Sequence, residues 1–358
     1  VRRRPNLQIV TGATASRIVL EGRRAVGVEI RRGDRSETIR AAEIIVSAGG
    51  VHSPALLLRS GIGQAAELRA LGINVAIDRR GVGRGLQNHG VVNLTTRLEP
   101  AARQARSMRT YGIASARVSS HAAGAPAGDL HLQFIAQLGD RPHGNRLGIL
   151  GAALYAPFSR GSVSLRSGDA SAMPVVDFRF LSDPLDRTRM RQVVRLGLDL
   201  LADPAVAPLH GDVFAVIPSS LARQLNSPGW RNRMLSSVVA ALLDSPPALR
   251  RHALRRVGHL IEDDGSGEMI ESLLDLIMPM FHPTGTCRFG RADDPDAVVD
   301  PHCRVHGIGA LRVIDASVMP VIPRGNTCIP TMMVAERAAE LMRGETAQPE
   351  TIAPASVA

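Results

Sequence analysis

Residues 42–63, which read AEIIVSAGGVHSPALLLRSGIG, constrain the fold more than any other segment of the chain. An apolar strand runs into a double glycine, and a helix is expected to follow it. Ser53 is a suitable N-cap, Pro54 fits the first helical turn, and Gly61 is a typical helix stop. A buried strand, a glycine turn and a helix make an α/β unit, so an α/β fold is predicted for this part.

A change in amino-acid composition at about residue 97 predicts a second domain. Residues 97–131 are small, polar and rich in glycine and alanine, which indicates a loop-rich entry. Four strand patterns follow, and residues 183–203 are predicted to form an amphipathic helix with apolar positions such as Met190 and Val193. Residues 203–275 are expected to be mostly helical. The predicted ranges are 1–96 and 276–344 for one domain, 97–275 for a second domain with an antiparallel sheet and flanking helices, and 345–358 for a disordered tail.

The charge pattern argues against a nucleic-acid partner. The formal net charge is +10, but the basic residues are all arginine and are interleaved with acidic ones. With two Tyr, seven Phe and one Trp, the chain is poorly supplied with stacking platforms for bases. The absence of lysine excludes a lysine Schiff base and a P-loop lysine. Three widely spaced cysteines without a CxxC favour reduced thiols and a cytoplasmic location. No apolar run is long enough to span a membrane.

His282, in the segment FHPTGTCRFG, is the strongest candidate for proton chemistry. A neutral imidazole can accept a proton near neutral pH, although a histidine in a loop is more often a structural hydrogen-bonding group. A metal site is a weaker interpretation. His302 and His306 are four residues apart, but their surroundings are not helical in pattern and no HExxH is present. No metal is therefore predicted, and the absence of a GxSxG elbow argues against a serine hydrolase.

Two more polar residues stand at the ends of predicted elements. Asp315 ends the strand LRVID, where a carboxylate often faces a ligand crevice, and a turn-capping role is equally compatible. Asn326 precedes the last helix, either as its N-cap or as a group that points into the same crevice. The glycine turn SAGGVHSP could hold a phosphate at a helix start, and packing glycines are the alternative.

Together these pieces resemble the glucose–methanol–choline (GMC) oxidoreductases, a family of flavoproteins. The segments GGVHSPALLLRSGIG, GVGRGLQNH, SRGSVSLRS and the run from HPTGTCRFG to ERAAELM are similar to conserved parts of that family. The resemblance extends from about residue 5 to residue 344 and includes members similar to choline dehydrogenase. It implies a partial FAD-binding, Rossmann-like domain and a separate substrate domain.

The resemblance also implies roles for particular residues. His282 matches the family's catalytic base, and Asn326 matches its partner, a position held by His or Asn. The matching cofactor-binding positions are Ala15, Phe281, Asp315, Ala316, Asn326, Thr327 and Cys328. The implied reaction oxidises the CH–OH group of a small alcohol by hydride transfer to flavin N5, and oxygen or a quinone then takes the electrons.

One departure affects this interpretation. The family opens with a strand–GxGxxG–helix unit that holds the FAD diphosphate, and this sequence has no such unit. The chain is therefore expected to be an N-terminally truncated fragment that binds FAD poorly by itself. Two other functions remain open: a flavin-dependent hydroxynitrile lyase on the same scaffold, and a fragment without catalytic activity.

Overall fold

The chain forms two compact units in a computed structural model. The described residues are 4–105, 108, 112–216, 224–225, 227–255, 258–261 and 267–344. The first unit takes the described parts of 1–88, 160–179 and 282–344, and the second takes those of 89–159 and 180–281. The unit boundaries differ from the predicted ones, because residues 89–96 pair with strands of the second unit and residues 160–179 pack in the first.

Seventeen strands lie in the described residues. In chain order they are β1 Thr14–Glu21, β2 Arg24–Arg32, β3 Arg35–Arg40, β4 Ile44–Val46, β5 Ile62–Gly63, β6 Ile77–Asp78, β7 Arg84–Leu86, β8 Gly90–Leu98, β9 Ile113–Val118, β10 Leu130–Ile135, β11 Leu147–Leu154, β12 Gly161–Ser164, β13 Val175–Asp177, β14 His210–Val216, β15 Gly258–Leu260, β16 Met278–Pro279 and β17 Leu311–Val313.

Seven α-helices accompany these strands in the same ranges. They are α1 Gly49–Arg59, α2 Ala65–Ala70, α3 Pro184–Ala202, α4 Trp230–Leu243, α5 Pro247–Leu254, α6 Glu268–Leu274 and α7 Cys328–Met342.

A parallel strand pair organises the first unit. Strands β4 and β17 pair in parallel, with Leu311 opposite Ile44 and Val313 opposite Val46. The crossover between them includes α1, whose residues Ala55 to Leu58 are all buried. Leu56, Leu57 and Leu58 join one apolar core, as the strand–glycine–helix pattern predicts. The three-stranded sheet β1–β2–β3 and the sheet β13–β12–β7 belong to this unit too, and both are antiparallel.

Helix α1 begins five residues earlier than its sequence predicts. It starts at Gly49, so Ser53 is not the N-cap and Pro54 lies inside the helix. The reason is tertiary, because the carboxylate of Asp315 accepts a hydrogen bond from the Gly49 N–H at 2.8 Å and so supplies the cap from another part of the chain. The predicted stop is correct: Gly61 follows the helix with φ +83°.

An antiparallel sheet forms the centre of the second unit. Its strand order is β15–β14–β8–β11–β10–β9, and β16 pairs with β8. Helix α3 covers one face, where Met190, Val193 and Val194 are fully buried. Asp183 caps this helix by accepting from the Leu185 N–H at 2.8 Å, and Pro184 occupies its first position. The antiparallel sheet and the helix were both predicted.

A buried ion cluster lies beside α3. The guanidinium of Arg189 donates to Asp129 at 2.9 Å and to Asp186, and all three side chains are fully buried. The Arg189 guanidinium also stacks over the Phe158 ring, 4.4 Å from its centroid. Burial alone would raise the pKa of Asp129, but hydrogen bonds from Ser120 and Arg189 outweigh burial and lower it. The cluster therefore favours the ionised form of the Asp129 carboxylate inside the core of this unit.

Some expected elements are different. Residues 6–10, whose apolar sequence NLQIV is compatible with a strand, form none and are exposed. The loop-rich region contains β9, and the segment expected to be mostly helical contains β14 and β15. Strands β14 and β15 pair with sequence-distant neighbours, which a local pattern does not reveal, whereas β9 pairs with β10, the next strand in the chain. The predicted tail at 345–358 lies outside the described residues.

None of the helices in the described ranges combines the length and apolar character that crossing a membrane requires.

Candidate active site

Three sequence-distant segments of the first unit are joined by backbone hydrogen bonds. They are residues 83–88, 282–290 and 315–322. The bonds are Gly83 N to Thr286 O, Gln87 N to Thr284 O, Thr284 N to Gln87 O, Cys287 N to Ser317 O, and Phe289 N to Val318 O, at 2.8–3.0 Å. All three segments were singled out as motifs in the sequence, and the structure brings them together around His282.

His282 is half-buried, and a hydrogen bond from its backbone N–H fixes its position. Its N–H donates to the side-chain oxygen Oδ1 of Asn88 at 2.9 Å. Burial lowers the pKa of the His282 imidazole below its ordinary value. The ring is therefore neutral at physiological pH, which is the form that can accept a proton.

Phe281, directly before His282, has an unusual backbone. Its φ is +61°, in the left-handed region, and its side chain is 84% exposed. A bulky residue costs about 1–3 kcal/mol in that region and is found mainly at functional sites. The left-handed backbone at Phe281 sets the direction in which the chain continues to His282.

Asp315 is buried, and its carboxylate caps the N-terminus of helix α1. Its Oδ2 accepts from the Gly49 N–H and from the Ser53 hydroxyl, and its Oδ1 accepts from the Ser317 N–H at 2.8 Å. Ser53 in turn accepts from the Ala48 N–H at 2.9 Å. A carboxylate at a helix N-terminus is favourable because of the helix dipole. These donors of the SAGG turn are thus satisfied by the chain itself.

The other predicted site residues lie at the start of α7, in a 3-10 turn and in strand β1. Thr327 is at the N-cap position of α7, and no side chain caps the helix there. Asn326 and Cys328, on either side of Thr327, are both exposed. Ala316 begins the 3-10 turn Ala316–Val318. Ala15, in β1, is half-buried and packs against the core of the first unit.

The sequence interpretation missed Gln87 and Asn88. Both are almost fully buried, with 2% and 3% of their surface exposed. Two adjacent amide residues in a glycine-rich loop, next to a histidine, are a signal that could have identified them, because a buried amide requires hydrogen-bond partners. Gln87 donates to the Pro320 carbonyl at 3.0 Å and accepts from the Ile322 N–H at 3.1 Å.

No group of three or more His, Cys, Asp and Glu side chains in the described ranges could hold a metal ion.

Gly50 allows α1 to lie directly against the His282 loop. A Cβ added at Gly50 would overlap the carbonyl oxygen of Pro283 and lie 2.7 Å from its carbonyl carbon. Gly50→Ala is expected to cost about 1–3 kcal/mol of stability, because the backbone of the loop must move. Urea unfolding monitored by circular dichroism measures the loss. Gly168→Ala is the control, since the nearest atom to its added Cβ is 3.7 Å away. Equal losses in the two variants would contradict the close approach.

Sequence-family comparisons decide the relationship. The C-terminal family model described as "GMC oxidoreductase" matches residues 157–335, and the N-terminal one matches residues 1–91. The chain belongs to the GMC oxidoreductase family. Members of this family bind FAD. The resemblance identified in the sequence is confirmed.

Curated GMC relatives match almost the whole chain. A 5-(hydroxymethyl)furfural oxidase from Methylovorus sp. (strain MP688) is 36% identical over 348 residues, covering 95% of this chain and 58% of the relative. An oxygen-dependent choline dehydrogenase from Brucella anthropi is 32% identical, covering 96% of this chain and 59% of the relative. The chain thus spans less than two thirds of the length of these relatives.

Solved structures agree with the fold. Pyridoxine 4-oxidase from Mesorbium loti superposes with a TM-score of 0.69 at 26% identity, covering 96% of this chain and 59% of that one. A formate oxidase from Aspergillus oryzae has a TM-score of 0.73 at 24% identity, covering 97% of this chain and 62% of that one, and is similar in fold. The predicted α/β fold class is confirmed.

The described residues fit one part of a flavin. Asn88 Nδ2, Thr284 Oγ1 and Ser317 Oγ are buried polar atoms without a hydrogen-bond partner in the described part of the chain. Such atoms are rare in folded proteins and are often satisfied by water or by a ligand. The α7 N-terminus adds exposed N–H groups that no side chain caps. These donors suit the carbonyl-bearing ring of FAD, whereas the Ala48 and Gly49 N–H groups of the SAGG turn already have partners within the chain.

Proposed function

We propose that this protein, with FAD bound, oxidises the CH–OH group of a small alcohol, with His282 as the base. The observation that carries the proposal is the half-buried, neutral imidazole of His282 on a backbone fixed by Asn88. The names of the relatives support the substrate class, since hydroxymethylfurfural, choline and pyridoxine are alcohols. The cytoplasmic location stays a prediction.

The residues have separate tasks in this proposal. His282 accepts the hydroxyl proton of the alcohol as the alkoxide develops, and the amide of Asn326 orients the substrate oxygen. Bound FAD supplies the hydride acceptor, N5, and the redox chemistry. The N–H groups at the start of α7, near Thr327 and Cys328, would attract electron-rich atoms of bound FAD through the helix dipole. Phe281, Asp315, Ala316 and Ala15 complete the proposed cofactor contacts.

Choline is a poor candidate substrate for the described site. A quaternary ammonium group is best bound in a cage of aromatic rings. The sequence contains only two Tyr, seven Phe and one Trp, and Phe281 is the aromatic residue next to His282. An uncharged primary or secondary alcohol therefore fits this part of the protein better.

Flavin uptake and bleaching test the proposal. Under this proposal, and against the weak binding expected from the sequence, protein incubated with FAD is yellow and loses its visible flavin absorbance when an alcohol is added without oxygen. Reoxidation by oxygen or by a quinone then identifies the electron acceptor. Release of cyanide from a cyanohydrin without bleaching would instead support the lyase. Protein that takes up no FAD would contradict the proposal for this chain.

The pH dependence of flavin reduction follows from the lowered pKa of His282. A protonated imidazole cannot accept a proton, so the reduction rate should fall as the pH is lowered. The midpoint should lie below the ordinary histidine value of 6.5, because burial disfavours the charged ring. Stopped-flow reduction by one alcohol between about pH 5 and 9 measures the profile. A midpoint above 6.5 would contradict the neutral-base role.

A further inference from the structure

We infer that Gln87 and Asn88 are positioning residues for the active site, each holding one of the two chain segments that lead to the proposed catalytic side chains. Asn88 fixes the backbone at His282. Gln87 fixes the segment 320–322, which ends four residues before Asn326. The inference rests on the proposed function for its effect on turnover, although its structural part can be measured separately.

The hydrogen bond between the His282 N–H and Asn88 fixes the backbone position from which the imidazole side chain extends. The His282 N–H is 2.9 Å from Asn88 Oδ1, and the next residue, Pro283, has no N–H to donate. The fixed point therefore lies within one residue of the side chain that must reach the substrate. A displacement of about 1 Å at a reacting group can cost about 100-fold in rate, so this bond matters for the chemical step.

The side-chain amide of Gln87 makes two hydrogen bonds to the segment 320–322. Its nitrogen donates to the Pro320 carbonyl and its oxygen accepts from the Ile322 N–H, so both ends are used. Because one contact needs a donor and the other an acceptor, neither Glu nor an apolar residue can replace both bonds. The backbone of Gln87 also donates to and accepts from the backbone of Thr284. These hydrogen bonds join the segment 320–322, through Gln87, to the His282 loop.

The burial of both amides argues against a mere surface role. Gln87 and Asn88 expose 2% and 3% of their surface, so each amide has been removed from water at a cost. The Nδ2 atom of Asn88 nevertheless has no partner in the described residues. A position that needed only packing would be filled at lower cost by an apolar side chain. The hydrogen bond to the His282 N–H is the contact that an apolar side chain could not provide.

The test compares Asn88→Leu with Asn88→Asp. Leucine has a similar volume but no acceptor, whereas aspartate keeps the oxygen that accepts from the His282 N–H. In flavin-loaded protein we expect Asn88→Leu to lower kcat about 10- to 100-fold with KM changed less than about threefold, because a misplaced base affects the chemical step. Asn88→Asp should retain at least about a third of kcat at pH 8, well above the ordinary histidine pKa. Asn74→Leu, at an exposed position of the same unit, is the control and should change neither.

A second measurement does not depend on flavin or activity. Hydrogen–deuterium exchange of the His282 amide, measured by mass spectrometry on the flavin-free chain, should be at least about 10-fold faster in Asn88→Leu and unchanged in Asn88→Asp. Asn88→Ala replaces Asn88→Leu if the leucine variant does not fold. Unchanged exchange and unchanged kcat in a folded variant would overturn the inference. Faster exchange in protein that never oxidises an alcohol would retain the positioning contact and reject the proposed function.

Discussion

Replacing His282 with alanine is expected to slow the reduction of bound flavin by an alcohol by about 100-fold, within the usual range for a lost general base. The physical reason is that alanine has no group that can take the hydroxyl proton as the hydride leaves. The half-buried imidazole has a lowered pKa and is ready to accept that proton. Anaerobic stopped-flow absorbance of flavin-loaded protein measures the rate directly.

His52→Ala is the matched control for this experiment. His52 is an exposed histidine of α1 in the same unit and should leave the rate unchanged. Flavin content should be equal in the two variants, because the imidazole of His282 is proposed to act on substrate. A His282→Ala protein that reduces its flavin at the wild-type rate would remove His282 from the mechanism.

Replacing Arg189 with methionine is expected to destabilise the protein by about 3–5 kcal/mol. Arg189 is fully buried and pairs with Asp129 and Asp186, so its loss leaves two buried carboxylates without their cation. Urea unfolding at pH 7, monitored by circular dichroism, measures the change. The loss should shrink as the pH is lowered, because protonation of Asp129, whose pKa the intact cluster lowers, removes a charge that Arg189 otherwise compensates.

Arg187→Met tests whether burial is the cause. Arg187 lies on the same helix and pairs with Glu271 at 2.7 Å, but 37% of its side chain is exposed. An exposed ion pair contributes about 0–1 kcal/mol, and Glu271 keeps a second partner in Arg191. If both variants lost the same stability, the buried cluster would not be the source of the effect.

Part of the candidate site could be predicted from the sequence. Pro283 and the glycines around His282 marked a special loop, and the family resemblance singled out His282 and Asn326 together. Gln87 and Asn88 were not recognised, because their importance comes from partners about 200 residues away in the chain. The start of α1 was misplaced for the same reason, since its cap comes from Asp315.

By itself, the sequence determined the family, the α/β class, and the elements whose cause is local. Helix α3 carries its own cap, Asp183, and its own apolar face, so a local pattern was sufficient to predict it. Only the tertiary structure decided which buried polar groups satisfy one another. Hydrogen bonds such as those of Asp315 and Asn88 require exact distances between sequence-distant segments, and no local pattern encodes those distances.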